Sequence, residues 1–290
     1  MPAIKKKPSK QAKKKTVKKR VNLLNDLTAK EWLPETISVW IQRGLGKGHD
    51  HAKIEREHPA PFSFQDVARL IRFFTKKGEL VLDPFVGVGS TLKAAALEGR
   101  LGIGFELNKR YASLARRRLS VEVGDEFLEV SPQEVRTGDS RELIAEVPDS
   151  VVSLVVTSPP YWNILQKVDH KATQDRLNEG LDTQYSDNDT DFGNIDDYDY
   201  FLTSLADLLG ETHRCLKKKG HLCVVVGDFR HKSKYYMFHS DIASAMETRG
   251  FQLKGITILY QRHKRIFPYG YPYSFVPNLH HQYIVILEKV

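Results

Sequence analysis

Leu80-Val81-Leu82-Asp83-Pro84-Phe85-Val86-Gly87-Val88-Gly89-Ser90-Thr91 is the stretch whose reading decides the fold. A short apolar run meets an acid and a proline, glycines follow at alternate positions, and the pattern predicts a helix from about Thr91 to Leu97. Strand, glycine-rich turn and helix is the arrangement that binds nucleotides in doubly wound α/β folds. Glycine lets the backbone approach a ligand where a Cβ would stand in the way. The spacing is neither that of a Walker loop nor that of a dinucleotide GxGxxG, and it lacks the lysine that holds phosphates. The ligand it predicts is a nucleoside without a phosphate chain.

Downstream, the strand-and-turn pattern recurs. A second strand, Leu101 to Phe105, ends at Glu106, where an acid binds a ribose diol in such folds. The competing reading is a surface carboxylate capping the helix that starts near Asn108. A third strand, about Glu134 to Thr137, ends at Gly138-Asp139-Ser140. Asp139 suits an adenine amino group, although a Gly-Asp pair also serves as a turn or helix cap. The fourth strand, Val151 to Val156, runs into Thr157-Ser158-Pro159-Pro160-Tyr161-Trp162. The double proline stops the strand and removes two backbone donors. It stiffens the turn, so the carbonyls of Ser158 and Pro159 are expected to point outward as fixed acceptors. Tyr161 and Trp162 are expected to offer flat faces beside them. Acceptors next to a stacking ring suit a planar ring bearing an amino group; an ordinary Pro-Pro turn with packed aromatics is the bland alternative.

The flanks extend the same architecture. Val67, Leu70, Ile71 and Phe74 share one face of a helix predicted from Gln65 to Lys76 and closed by Gly78. Phe201, Leu205, Leu208 and Leu209 form a core stripe on a helix from about Tyr198 to Leu216, expected to end in Lys217-Lys218-Lys219-Gly220. A fifth strand spans Leu222 to Val226, with Cys223 packed as a small hydrophobe. A helix from Ser240 to Arg249 leads to strands at Ile256–Tyr260 and Tyr283–Leu287. The expectation is an α/β fold: a doubly wound, seven-stranded, mostly parallel sheet in a single catalytic domain over 58–290. A lead-in segment at 21–57, anchored by Trp32 and Trp40, and a basic tail at 1–20 precede it.

Composition bounds the function. At 290 residues with 41% hydrophobic and 10% aromatic content, the chain can bury a sizeable core. No apolar run is long enough to span a bilayer, and no apolar segment follows the basic start to make a secretory signal. Cys215 and Cys223 make neither a disulfide framework nor a zinc set, and they fit a reducing compartment. His49 and His51 lack a matching acid or thiol cluster, so no metal site is expected.

The net charge of +8 sits in the tail, because residues 1–20 hold ten Lys/Arg and no acid, leaving 34 basic against 36 acidic residues. Such a block self-repels and is expected to be disordered. It fits a sequence-independent grip on phosphates, a solubilising tail or an import signal. Residues 163–200 hold ten Asp/Glu, and their place after the Pro-Pro turn suggests a mobile lid. Gln261-Arg262-His263-Lys264-Arg265 before an aromatic run from Phe267 to Phe275 fits stacking plus phosphate contact, or a packed hairpin.

The glycine stretch together with Ser158-Pro159-Pro160-Tyr161 resembles the S-adenosylmethionine-dependent amino-methyltransferases of DNA, and the Ser-first turn is more similar to the cytosine-N4 branch than to the adenine-N6 branch. His58-Pro59-Ala60-Pro61-Phe62 resembles the family segment that touches the methionine half of the cofactor. The resemblance covers roughly 58 to 290. It departs in two ways: the glycine motif precedes the Ser-Pro-Pro-Tyr motif, and no separate target-recognition domain follows the last strand. Recognition then falls to 163–200, 262–280 or the N-terminal segment.

The resemblance implies S-adenosyl-L-methionine as cofactor, bound by Pro61, Phe62, Asp83, Phe85, Gly87, Gly89, Ser90, Thr91, Glu106, Asp139 and Ser140. It implies a catalytic turn of Ser158, Pro159, Pro160 and Tyr161, acting on N4 of an extruded cytosine. Adenine N6, RNA, or a nucleic-acid-binding module with an inactive fold are the alternatives. Without a Pro-Cys nucleophile, methylation at ring carbon 5 does not fit. Implied partners are DNA, a second copy of the chain and a cognate restriction endonuclease. The implied location is the cytoplasm and nucleoid, or the nucleus in a eukaryotic host.

Overall fold

The computed structural model describes residues 21–43, 54–58, 63–162, 191–231 and 233–290. The basic tail, the His49 and His51 loop, Pro61, Phe62 and residues 163–190 of the expected lid lie outside the described residues.

The strands in chain order are β1 (Val39–Ile41), β2 (Leu80–Asp83), β3 (Leu101–Glu106), β4 (Gln133–Thr137), β5 (Val152–Thr157), β6 (Leu216–Val226), β7 (Phe229–His231), β8 (Lys234–Tyr236), β9 (Phe251–Tyr260) and β10 (His281–Lys289). Eight of them form one sheet in the order β1-β9-β10-β6-β5-β2-β3-β4, and β7 and β8 pair separately. Neighbours are parallel except β10, which runs antiparallel to both β6 and β9. From β2 the chain steps outward through β3 to β4. It then returns to the other side of β2 as β5 and continues outward to β6. The strand order therefore reverses between β2 and β5, and in open α/β sheets ligands bind beyond the strand ends at such a point.

Both faces of the sheet are covered, which explains why β5 is buried at every position and reads as a continuous apolar run. The first helix, α1 (Ala29–Glu35), precedes β1; on one face of the sheet Val81, Leu154, Val156, Cys223 and Val225 pack against Val67, Leu70, Ile71 and Phe74 of α2 (Phe64–Phe74) and against Ala94 and Ala95 of α3 (Ser90–Leu97). On the other, Leu82, Val155, Leu222, Val224 and Val226 meet Phe201, Leu205 and Leu209 of an 18-residue helix, Tyr198–Cys215, and Ile242 and Met246 of the helix Phe238–Glu247. Burying each such valine or leucine contributes about 1.5–3 kcal/mol relative to exposure.

Three boundaries differ from expectation. The seven expected strands are joined by an eighth, β1, which pairs in parallel with β9 and places Trp40 in the core beneath the Arg69 guanidinium, 3.6 Å from the ring. The lysine run 217–219 does not end a helix. Leu216 pairs with Val152 at the start of β6, so the lysines lie in that strand, and Lys217 Nζ meets Glu79 Oε1 at 3.0 Å. Gly78 does not close α2 either: Thr75 is already extended, and Gly78 lies in a turn at φ +77 with its N–H on the Gly99 carbonyl.

Candidate active site

Loops leaving the C-terminal ends of β2, β3, β4 and β5 converge on one cleft of about 710 Å³, its open mouth included. Of the expected site residues, Phe85, Gly87, Glu106, Asp139, Ser140, Ser158, Pro159, Pro160 and Tyr161 line it.

The glycine turn forms one wall. Gly87 sits at φ +52, in the left-handed region that disfavours side chains, and its N–H donates to Glu106 Oε2 at 2.9 Å. Asn108 N–H donates to Glu106 Oε1 at 2.8 Å. Each oxygen keeps further acceptor capacity toward the cleft. Burial pushes the Glu106 carboxyl up to about 7; the two backbone donors oppose this, and nearby Asp191 and Asp83 add to it.

Asp83, Gly89, Ser90 and Thr91 do not line the cleft. Gly89, at φ +84, faces α4 (Lys109–Glu122), where an added Cβ would come within 3.1 Å of Ala115 Cβ. Ser90 Oγ accepts from Arg118 Nη1 at 2.8 Å. Asp83 accepts from Thr91 Oγ1 at 2.5 Å, Thr157 Oγ1 at 2.6 Å and Phe85 N–H at 3.0 Å. One buried carboxyl thus ties the glycine turn to the strand that carries the Ser-Pro-Pro turn. Burial holds it at about 6 despite these donors. These residues build the wall rather than face it.

At the end of β4, Asp139 is both a helix cap and part of the wall. It accepts from Arg141 N–H at 2.9 Å and pairs with Arg141 Nη2 at 2.5 Å. Ser140 Oγ donates to the Pro84 carbonyl at 2.5 Å, locking this loop to the glycine turn.

The Ser-Pro-Pro-Tyr turn stands opposite. Among the described residues, neither the Ser158 nor the Pro159 carbonyl accepts a hydrogen bond. Tyr161 Oη accepts from Gln282 Nε2 at 2.6 Å and lies 3.5 Å from Ser158 Oγ. Burial raises the Tyr161 phenol above its ordinary value. Trp162 corrects the expectation of a second open face. It is buried at φ +45, with its ring centroid 4.6 Å from His231, 5.4 Å from Tyr198 and 5.6 Å from Tyr236, and so anchors the turn from below.

Sequence reasoning missed several cleft residues. Phe192 meets Phe85 edge-on at 5.6 Å, with the Arg141 guanidinium 5.2 Å from its ring. Asp191 lies beside it, at the end of the acidic insertion, where no periodicity marks either residue. His58 was not missed: it heads the His58–Phe62 segment expected near the cofactor and lines the cleft, 3.4 Å from where a Gly87 Cβ would be and edge-on against Tyr111 at 4.8 Å. Among the described residues, no group of three or more His, Cys, Asp or Glu is placed to hold a metal, and no helix is long and apolar enough to cross a membrane.

The family model for DNA methylases of the N6/N4 methyltransferase type matches residues 2–117 and 152–289, and the chain belongs to that family. It is similar to the type II methyltransferase M.MthZI of Methanothermobacter thermautotrophicus, 35% identical over 111 residues, which cover 37% of this chain and 30% of the relative. The orphan methyltransferase M.BamHII of Bacillus amyloliquefaciens is 36% identical over 78 residues, 26% of this chain and 29% of the relative. These matches span about a third of each relative's length or less. A Thermus thermophilus protein solved as a complex with S-adenosyl-L-methionine is 28% identical, covering 52% of this chain and 53% of that one at a TM-score of 0.36.

S-adenosyl-L-methionine is the cofactor of this family, and the chemistry of the groups lining the cleft suits it. Glu106 offers acceptors for a ribose diol, Asp139 and Ser140 offer polar atoms for an adenine edge, and Phe85 and Phe192 offer apolar faces. The left-handed Gly87 keeps the backbone close.

Proposed function

We propose that the chain methylates the exocyclic amine of a base in DNA, with cytosine N4 as the target. The supporting observation is the pair of Ser158 and Pro159 carbonyls, unclaimed among the described residues, on the wall of the same cleft as Gly87 and Glu106. When bound there, the cofactor supplies a methyl carbon made electrophilic by its sulfonium. Glu106 holds the sugar, Asp139 and Ser140 the adenine, and Phe85 with Phe192 exclude water.

The target amine is a poor nucleophile because its lone pair is shared with the ring. Ser158 and the Pro159 carbonyl accept its N–H groups and draw the nitrogen toward tetrahedral geometry, which frees that lone pair. The contact strengthens as the nitrogen pyramidalises, so it favours the transition state over the ground state. Tyr161 stacks on the base, which is extruded from the duplex to reach it. The nitrogen becomes acidic on methylation, so the turn needs no strong permanent base. Tyr271, Tyr273 and Phe275, exposed at 83, 93 and 85% beyond a basic stretch, form the DNA-facing rim of this proposal.

Serine at the head of the turn favours cytosine N4. Incubation with DNA and methyl donor, digestion, and identification of the modified nucleoside by mass tests the reading. N4-methylcytosine is the expected product. N6-methyladenine would reassign the target base, and product only on RNA would reassign the nucleic acid. No methylated nucleoside on either would refute the proposal.

A further inference from the structure

A row of side chains leads from the basic loop to the catalytic turn. Lys264 Nζ donates to Gln261 Oε1 at 3.4 Å, Gln261 Nε2 to Gln282 Oε1 at 3.5 Å, and Gln282 Nε2 to Tyr161 Oη at 2.6 Å; Tyr161 Oη lies 3.5 Å from Ser158 Oγ. The first two contacts are long, but the row has a direction. A lysine ammonium has donors only, so it selects the oxygen of Gln261. That turns the Gln261 amide nitrogen toward Gln282 and also toward Gln42 Oε1, at 3.2 Å. Gln282 then presents its oxygen to Gln261 and its nitrogen to Tyr161. With a Tyr161 lone pair occupied by Gln282, the phenol's own hydrogen is left for Ser158 Oγ.

We propose that Gln282 is a positioning residue that sets the donor direction of Tyr161 and so orients the Ser158 hydroxyl in the cleft. Gln282 starts no motif of its own; it lies near the beginning of β10, beside the end of β6. The direction of the row follows from the contacts alone, whereas its consequence for turnover rests on the methyl-transfer reading. Replacing the amide by a carboxylate reverses the row. An ionised carboxylate only accepts, so Tyr161 would donate to it and would have to accept from Ser158. Protonation of that carboxyl restores a donor.

The test compares wild type, Gln282→Leu, Gln282→Glu, Tyr161→Phe and the double variant Gln282→Leu with Tyr161→Phe. NMR of protein labelled at tyrosine Cζ reads the phenol directly, with Tyr161→Phe assigning the signal. The signal should move in Gln282→Leu and, in Gln282→Glu, should move with pH. An unmoved Tyr161 signal in both overturns the proposal, whether or not the protein methylates DNA.

In the methylation assay, Gln282→Leu should lower kcat about tenfold, the scale of one hydrogen bond, with KM changed far less. Gln282→Glu should regain kcat as pH falls through the introduced carboxyl, a profile the wild type lacks. The double variant should be no slower than Tyr161→Phe alone. Independent, multiplying losses would show that Gln282 does not act through Tyr161. Variants that move the NMR signal as expected, in a protein whose wild type methylates nothing, would reject the functional reading and leave the row intact.

Discussion

The two walls of the cleft are built differently. On the cofactor wall, polar atoms answer one another inside the core: Asp83 collects three donors, Glu106 takes two backbone N–H groups, and Ser140 closes on Pro84. On the target wall, a stiff Ser-Pro-Pro turn leaves its carbonyls unclaimed among the described residues. Tyr271, Tyr273 and Phe275, on the loop joining β9 to β10, are exposed. The difference separates the tasks. A ligand that never changes is met by a wall fixed by the fold. Under the proposed function, the target base would be met by a fixed corner flanked by exposed loops.

The largest expected effect comes from the residue that joins the walls. Asp83→Ala strands the Thr91 and Thr157 hydroxyls and the Phe85 N–H in the core, and should cost about 3 kcal/mol of stability and most activity. Chemical denaturation reads it. A loss confined to cofactor binding, with stability intact, would deny the joint role.

Next is Glu106→Gln, which acts on one wall. Loss of a charged acceptor for a diol should weaken cofactor binding by about 2 kcal/mol, roughly thirtyfold, measured by calorimetry. Ser158→Ala is its mirror image: turnover should fall while cofactor affinity survives. Equal activity would discard the role of the Ser158 hydroxyl and leave only the backbone carbonyls as acceptors.

The pH dependence sharpens the contrast. Asp83 and Glu106 sit at about 6 and about 7 in the fold, above their ordinary 3.8 and 4.5. The folded state therefore holds protons that the unfolded chain releases. Their contribution to stability is full below the ordinary values and is lost as pH rises through the folded ones. In the cofactor-free protein, the share of stability that these two groups contribute should decline from about pH 3.8 to about pH 7, and comparison of Glu106→Gln with the wild type should show the Glu106 part of it between about pH 4.5 and about pH 7. A slope unchanged by Glu106→Gln would place the protons elsewhere.

The smallest effect is expected at the rim. Tyr271→Ser and Tyr273→Ser should each weaken DNA binding by about 1–3 kcal/mol if a base stacks there, and leave cofactor binding alone. Binding unchanged in both would remove this loop from the DNA surface.

Much of this was legible in the sequence because strands buried on both faces are apolar throughout and end in recognisable turns. All seven expected strands are present, and the C-terminal turns of four of them, β2 to β5, meet in one cleft. Which side of a turn a side chain faces was not legible. Asp83, Gly89, Ser90 and Thr91 belong to the glycine motif, but α4 and Thr157 claim them, and local pattern carries no information about such distant partners. Trp162 failed for the same reason, since its partners include His231 and Tyr236, far along the chain. The lysine run resembled a helix end until strand pairing with Val152 decided otherwise. Asp191, Phe192 and Gln282 reach the site from segments without a motif, and β1 is too short, at three residues, to show a period.

The most direct test is a crystal structure of the protein with S-adenosylhomocysteine and a DNA duplex bearing its target. The account predicts an extruded base on Tyr161, with its exocyclic nitrogen about 3 Å from the Pro159 carbonyl or Ser158. The sulfur should stand across the cleft, in line with that nitrogen. A base bound elsewhere, or those oxygens taken up by the protein's own donors, would contradict it.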